Sequence, residues 1–423
     1  MMLPSYECRN LCGDTSVTIP SPTITARTIV LERYRAVAMG IYESAPSTFL
    51  LLVLVRWFHG DPTDKSLIAA ATHAGLLLAP LTVFIARHMR WSAPIGIAGL
   101  LFSASLALGG AAFVSGKQAF VSLAFLGALI PSAAAPLVTT VYQCNYPISG
   151  RGRIFAQNNG IRISSSIVFG SFCGWLISDR MELYPILLVL FALALAGAAL
   201  AAAKIPTTNE HPTIVPPLLA CFKYVGSDRI FRDTLISWML LGFGNLMIVP
   251  IRVEYLANER YGLNLSEFEI ALLVSTIPNI ARLVGSMMWG RIFDAVNFFS
   301  LRIVLNISFL IGTLAFFASD SWVALGISSL LLGFTISGGD VAWGLWVTKF
   351  APADRVPDYM AVHVFFTGVR GLIAPAAAFF LLQYISPLQL SWISAGLMSL
   401  SVLQLLPVWH RSLGLKNSEK STG

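Results

Sequence analysis

The stretch ILLVLFALALAGAALAAA, residues 186–203, decides the class of this protein. Its eighteen consecutive positions carry no charge, amide or hydroxyl. At about 1.5 Å rise per residue it spans roughly 27 Å as a helix, close to the hydrocarbon thickness of a bilayer. It does not alternate polar and apolar positions, as an outer-membrane strand of about ten residues would. With its flanks it forms a run over 184–203. Eleven further apolar runs cover 36–57, 66–86, 93–114, 119–143, 155–177, 234–256, 267–289, 299–318, 322–350, 359–384 and 388–409. Most connections are short, which predicts a compact bundle of twelve transmembrane helices. Ser266 with Glu269 is a capping-box pattern at the start of the eighth run.

The composition agrees. Of 423 residues, 56% are hydrophobic and only 12% are charged, and the mean hydropathy is +0.73. The charged share is about half that of a soluble protein. These values exclude a soluble domain, a disordered chain, collagen and a coiled coil. The five cysteines (Cys8, Cys12, Cys144, Cys173, Cys221) are odd in number and scattered. They read as free thiols, not a disulfide framework or metal clip. No cofactor or metal is expected. Residues 1–35 are rich in Ser, Thr and Pro, without a signal-like apolar stretch, and read as a tail.

The basic residues set the orientation. With the N-terminus inside, 19 Lys and Arg fall on inner segments and 6 on outer ones, and Arg162, Arg282 and Arg370 lie within runs. The positive-inside rule then places both termini in the cytoplasm. The net charge of +7 is a topological signature, and no nucleic-acid partner is expected. The chain divides into a cytoplasmic tail (1–35), a six-helix bundle (36–203), a central loop (204–233), a second bundle (234–410) and a tail (411–423). Matches between the bundles recur at nearly constant offset. Gly40 and Pro46 match Gly244 and Pro250, Arg87 matches Arg291, and Pro147 matches Pro352. Gly160-Ile161-Arg162 matches Gly368-Val369-Arg370. Parallel repeats of this kind place a solute site between the halves near the bilayer midplane.

Gly290-Arg291-Ile292-Phe293-Asp294, between the eighth and ninth runs, resembles the G-x-x-x-D loop signature of the major facilitator superfamily. The first-half equivalent, Ala86-Arg87-His88-Met89-Arg90, keeps the basic residues but lacks the Gly and the Asp. Arg151-Gly152-Arg153 is also similar to the family's loop. The resemblance covers 36–410. It implies an all-α fold of two pseudo-symmetric six-helix bundles, alternating access, and a cavity lined by the first, fourth, seventh and tenth helices. The polar or aromatic residues there are Tyr42, Glu43, Tyr142, Gln143, Asn245, Asp340 and Trp343, while Gly290, Arg291 and Asp294 would form a gating loop. The fourth run carries no arginine and the fifth no G-P-x-x-G-G, so no subfamily is indicated.

An ionised side chain in the bilayer costs about 2.5–3.5 kcal/mol, so each deep charge needs a cavity or a partner. The deep set is Glu43, Arg162, Arg282, Asp340 and Arg370. Helical rise places Glu43 at the depth of Arg162, and Asp340 at the depth of Arg370. One acid–base pair per half is expected, either as a structural bridge or as a proton-coupling device. Arg282 is then surplus. It suits a gate, a helix end or an oxyanion on the solute, which leans the solute class towards anions. His73 and His363 fall near membrane ends and read as bystanders. The sequon Asn264-Leu265-Ser266 sits too close to a helix to count.

No H-E-x-x-H or G-x-S-x-G motif is present, so an enzyme is not expected. The expected function is a secondary transporter of a small solute, proton-coupled and monomeric, in a bacterial cytoplasmic membrane. Its alternatives are an exporter of drugs or amphiphiles, or a transporter-like assembly factor or receptor.

Overall fold

The computed structural model describes residues 21–147, 151–207, 222–349 and 356–421. The chain folds into helices, and twelve segments are long and apolar enough to cross a membrane when one bent pair is taken as a single span. They are α1 (Pro22–Arg56), α2 (62–88), α3 (Ala93–Ala111), α4 (Lys117–Asn145), α5 (Arg151–Ile177) and α6 (Tyr184–Ala203). The second six are α7 (Arg229–Ala257), α8 (267–295), α9 (Phe298–Phe317), α10 (Trp322–Leu345), α11 (Val356–Leu381) and α12 (Pro387–Ser421). Large apolar side chains such as Phe102, Phe113, Leu193, Val323 and Ile327 stay exposed. On a helix of this length that is a lipid-facing surface.

Local chemistry fixes the helix starts. Asp61 caps α2 with Asp64 reciprocating and Pro62 in the first turn. Ser266 and Glu269 form the capping box that the sequence pattern predicts for α8. Asp228 caps α7, which starts at Arg229, five residues before the expected 234. The larger departure is at α1, which begins at Pro22, capped by Ser21, and not at 36. Residues 22–35 carry buried groups that satisfy one another, so they do not behave as a tail. Arg35 forks onto the buried Glu32 at 2.6 and 2.7 Å, and the Thr25 hydroxyl donates to the Asn145 carbonyl at 2.9 Å. In the central loop, Lys223–Ser227 forms a short helix. Pro212, Pro216, Pro217 and Cys221 lie outside the described residues, as do Cys8 and Cys12.

The packing repeats six helices on. α1 packs on α5 and α6 as α7 packs on α11 and α12. α2 packs on α4 and α3 on α6, and these pairs recur as α8 on α10 and α9 on α12. The halves meet along α2–α11 and α5–α8, which are again equivalent pairs. Helices approach closely where glycine allows it: a Cβ at Gly40 would collide with the Arg162 carbonyl of α5.

Four helices are irregular among the described residues, α4 being interrupted at Ala134 ahead of Pro136. α2 bends by 48° between Leu77 and Ala79. α1 and α8 each contain a π turn, Ala45–Phe49 and Leu272–Thr276, and these turns pack on one another across the interface. π turns are rare and mark functional sites more often than chance. α10, in contrast, runs unbroken through Asp340. The glycines before Asp340 serve close packing instead, with Gly338 facing Leu305 and Trp289.

Candidate functional site

Four charged residues join the bundles near mid-depth. Glu43 Oε2 lies 3.3 Å from Arg162 Nε, and its Oε1 accepts from Arg282 Nη1 at 3.2 Å. Arg282 Nε donates to Asp340 Oδ2 at 2.7 Å. The chain Arg162–Glu43–Arg282–Asp340 therefore runs from α5 through α1 to α8 and α10, and its central link crosses from one bundle to the other. Its ends are wet and its middle is not: Asp340 and Arg162 are 48% and 38% exposed, Arg282 only 16%.

The expected pair Glu43–Arg162 is thus present, while the expected pair Asp340–Arg370 is not. Asp340 bonds Arg282, so Arg282 is not surplus. Arg370 turns away to α7, where its Nη1 donates to the Trp238 carbonyl and its guanidinium lies against Gly242. Depth along a helix is legible from residue counts, but the direction a side chain takes around the axis is set by packing.

The other expected residues are placed as follows. Asn245 is half-buried on α7, and its side chain bonds no described residue. Trp343 is half-buried, with its ring 5.3 Å from that of His363. His363 is fully buried among Trp238, Trp343 and Trp346, so it is no membrane-end bystander. His73 packs on Gly371 where α2 meets α11. Tyr142 accepts from Asn158 at 2.7 Å, a packing role within the first bundle. Gly290 and exposed Arg291 lie near the end of α8, and the Asp294 side chain lies outside the described residues.

A second charged region was not anticipated. It lies at the face opposite the termini, called the far face below. Lys65 of α2 and Glu254 of α7 pair at 2.6 Å, with side chains only 10% and 4% exposed. Asn258 donates to the same Glu254 oxygen at 2.7 Å. Arg56 of α1 bonds Asn264 and, at 2.6 Å, the Leu265 carbonyl, and it lies 3.7 Å from Glu267 of α8. Glu267 also accepts the Asp179 backbone N–H at 3.1 Å. Deeper in, Ser171 bonds Thr276 at 2.8 Å and Asn279 donates to Ser166 at 3.4 Å. Except for the Asn258–Glu254 bond, which lies within the second bundle, each of these bonds crosses between the bundles. On the terminal side of Glu43–Arg282, no hydrogen bond or ion pair between described residues does so. Outside this seal, backbone N–H groups of Asp64 and Thr63, with Lys117 nearby, hold the Asp61 carboxyl below its usual range.

No protein-family model matches the chain, and no curated protein sequence does. Solved structures do. A nucleoside transporter, NupG, superposes with a TM-score of 0.72 at 14% identity, covering 91% of this chain and 99% of that one. A D-xylose-proton symporter gives 0.68 at 16% identity, covering 90% and 97%. A POT family transporter, solved with a thioalcohol-conjugated peptide, gives 0.73 at 12% identity, covering 94% and 98%. The fold is therefore that of the major facilitator transporters, as the loop signature and the bundle symmetry imply.

Proposed function

We propose that the protein is a secondary active transporter that moves a small solute across a membrane by alternating access. The observation that carries this reading is the one-sided bonding between bundles: sealed from the far face to the midplane, with no bond between described residues beyond it. A fold whose halves rock about a central site needs such asymmetry, because each end state must close one side and open the other. The excess of Lys and Arg puts the open, terminal side in the cytoplasm. The protein works as a monomer, in a bacterial cytoplasmic membrane.

The charged chain supplies the coupling. Protonating Asp340, its wettest acid, would release Arg282 to Glu43 alone and so tighten the charged link between the bundles at mid-depth. Glu43, Arg162, Asn245, Asp340, Trp343 and Arg370 form the solute and proton site, with Arg282 as its hub. Gly290, Arg291 and Asp294 act at the loop where the halves move. The solute is anionic, since arginines outnumber acids in the deep set. An amphiphile exporter would favour a cavity with fewer charges.

The test is transport in proteoliposomes, with a proton gradient (uphill) and without one (counterflow). Wild-type protein should accumulate solute only with the gradient, and Asp340→Asn should keep counterflow while losing accumulation. Accumulation by Asp340→Asn would remove the proton from the mechanism. Absence of flux for every solute class would remove transport itself.

A further inference from the structure

The second bundle holds a cluster of cations that no acid balances among the described residues. Arg302 of α9 is fully buried, and its guanidinium stacks 3.5 Å above the Trp238 ring. Stacking covers a face of the guanidinium, but its five N–H donors point outward in the plane. All three of its nitrogens are buried without a hydrogen-bond partner. Arg370 reaches the same residue from the other direction through the Trp238 carbonyl, and its Nε is likewise buried and unpartnered. His363 lies 5.5 Å from the Trp238 ring, ring to ring, with both nitrogens unpartnered. The Trp238 indole N–H is unpartnered too.

Such a set is costly as it stands. Arginine keeps its proton when buried, so the charge cannot be relieved by titration. Removing a charge from water is offset only by an opposite charge or a full set of hydrogen bonds. The donors are gathered around Trp238 from α7, α9 and α11, and they supply what an oxyanion needs: several unpartnered N–H groups, with the whole Arg302 fork free for bidentate bonding. The cluster also borders the transport site. Trp343, whose ring meets His363, is one turn from Asp340 on α10 and so shares its face.

We propose that Arg302, Arg370 and His363, arranged around Trp238, bind an oxyanion, the carboxylate or phosphate group of the transported solute. This rests on the transporter reading above and names the chemistry of its solute. Arg370 is the entry contact, being half-buried, and Arg302 is the terminal one.

Thermal melting of the purified protein in Tris–chloride tests it, with acetate, benzoate, inorganic phosphate and the neutral isostere benzamide as probes. A ligand of the folded state raises the apparent melting temperature in a saturable way. At least one oxyanion should do so, and benzamide should not. A response to the carboxylates or to phosphate alone identifies which group the site takes. Arg370→Gln and Arg302→Met should each weaken that response at least tenfold. Arg302→Met should melt no lower than wild type without added oxyanion, because it removes a buried charge that lacks a partner. The proposal is overturned if no oxyanion shifts the wild type, or if both variants respond as wild type does. It is equally overturned if Arg302→Met melts several degrees lower without oxyanion, since the guanidinium would then have an internal role. Oxyanion binding without flux would keep the site and reject transport. Flux of a neutral solute without any oxyanion response would do the reverse.

Discussion

The far-face seal and the midplane chain are both built from ion pairs between the bundles, yet they differ in burial. Lys65 and Glu254 are about nine-tenths buried or more, whereas Asp340 and Arg162 at the ends of the midplane chain are 48% and 38% exposed. A buried pair is hard to break one partner at a time, because the survivor is left as an uncompensated charge. An exposed pair is screened by water and exchanges partners at little cost. The seal is therefore suited to hold one end state, and the midplane chain to respond to a proton or a solute.

The sharpest way to break this contrast is Glu254→Gln. It leaves Lys65 buried without its counter-charge, and loss of one partner from such a pair costs about 3–5 kcal/mol. A large fall in melting temperature is expected, together with new labelling of a cysteine placed at Ser275 from the far face. The double variant Lys65→Met, Glu254→Met should recover most of the stability. A Glu254→Gln protein that melts like wild type would show that the pair does not hold the seal. Next in size is Arg282→Gln, which removes the shared partner of Glu43 and Asp340. Uphill transport should fall at least tenfold, about 1.4 kcal/mol, with a smaller loss of stability than for Glu254→Gln. Arg162→Gln should cost less than Arg282→Gln on both measures, because its pair is longer and wetter. An equal loss in the two variants would count against Arg282 as the hub.

Asp294→Asn sharpens the comparison at the terminal side. It should change the transport rate several-fold while leaving solute affinity unchanged. The opposite pattern would assign Asp294 to binding. The smallest effect is at the rim of the seal. Asp61→Ala removes a helix cap and should cost about 1 kcal/mol. The Asp61 pKa is depressed in the folded state, so its stabilisation is present above the unfolded carboxyl pKa. It fades as pH falls through the lower folded value. The gap between wild type and Asp61→Ala in melting temperature should close below about pH 4. A gap that persists at pH 3 would separate the cap from the carboxylate charge.

The twelve spans were legible because bilayer thickness imposes an apolar run length that composition can satisfy in few ways. The Ser266–Glu269 start was legible because its chemistry is local. The start of α1 was not, because Glu32, Arg33 and Arg35 look like a solvated tail until Glu32 is seen to be neutralised by Arg35. Glu43 with Arg162 could be paired from depth alone. Asp340 could not, because Arg282 on α8 and Arg370 on α11 are both available within the second bundle and only packing selects between them. The Lys65–Glu254 pair was not legible, since each residue lies within a turn of a helix end and they are 189 positions apart.

The π turn in α1 lies between Glu43 and Arg56, the two residues through which this helix touches the midplane chain and the seal. A π turn fits one more residue into a turn than an α-helix does, and one residue corresponds to about 100° of azimuth. Residues 45–49 therefore set the angular phase between the two ion-pairing sites. In an uninterrupted helix, a rotation that aimed Arg56 at α8 would swing Glu43 about 100° off the line joining Arg162 to Arg282. The matching turn in α8 stands between Glu267 and Arg282 in the same way. Each helix thus carries a built-in phase offset, and the two offsets are in contact, so rewinding one would force its neighbour to adjust.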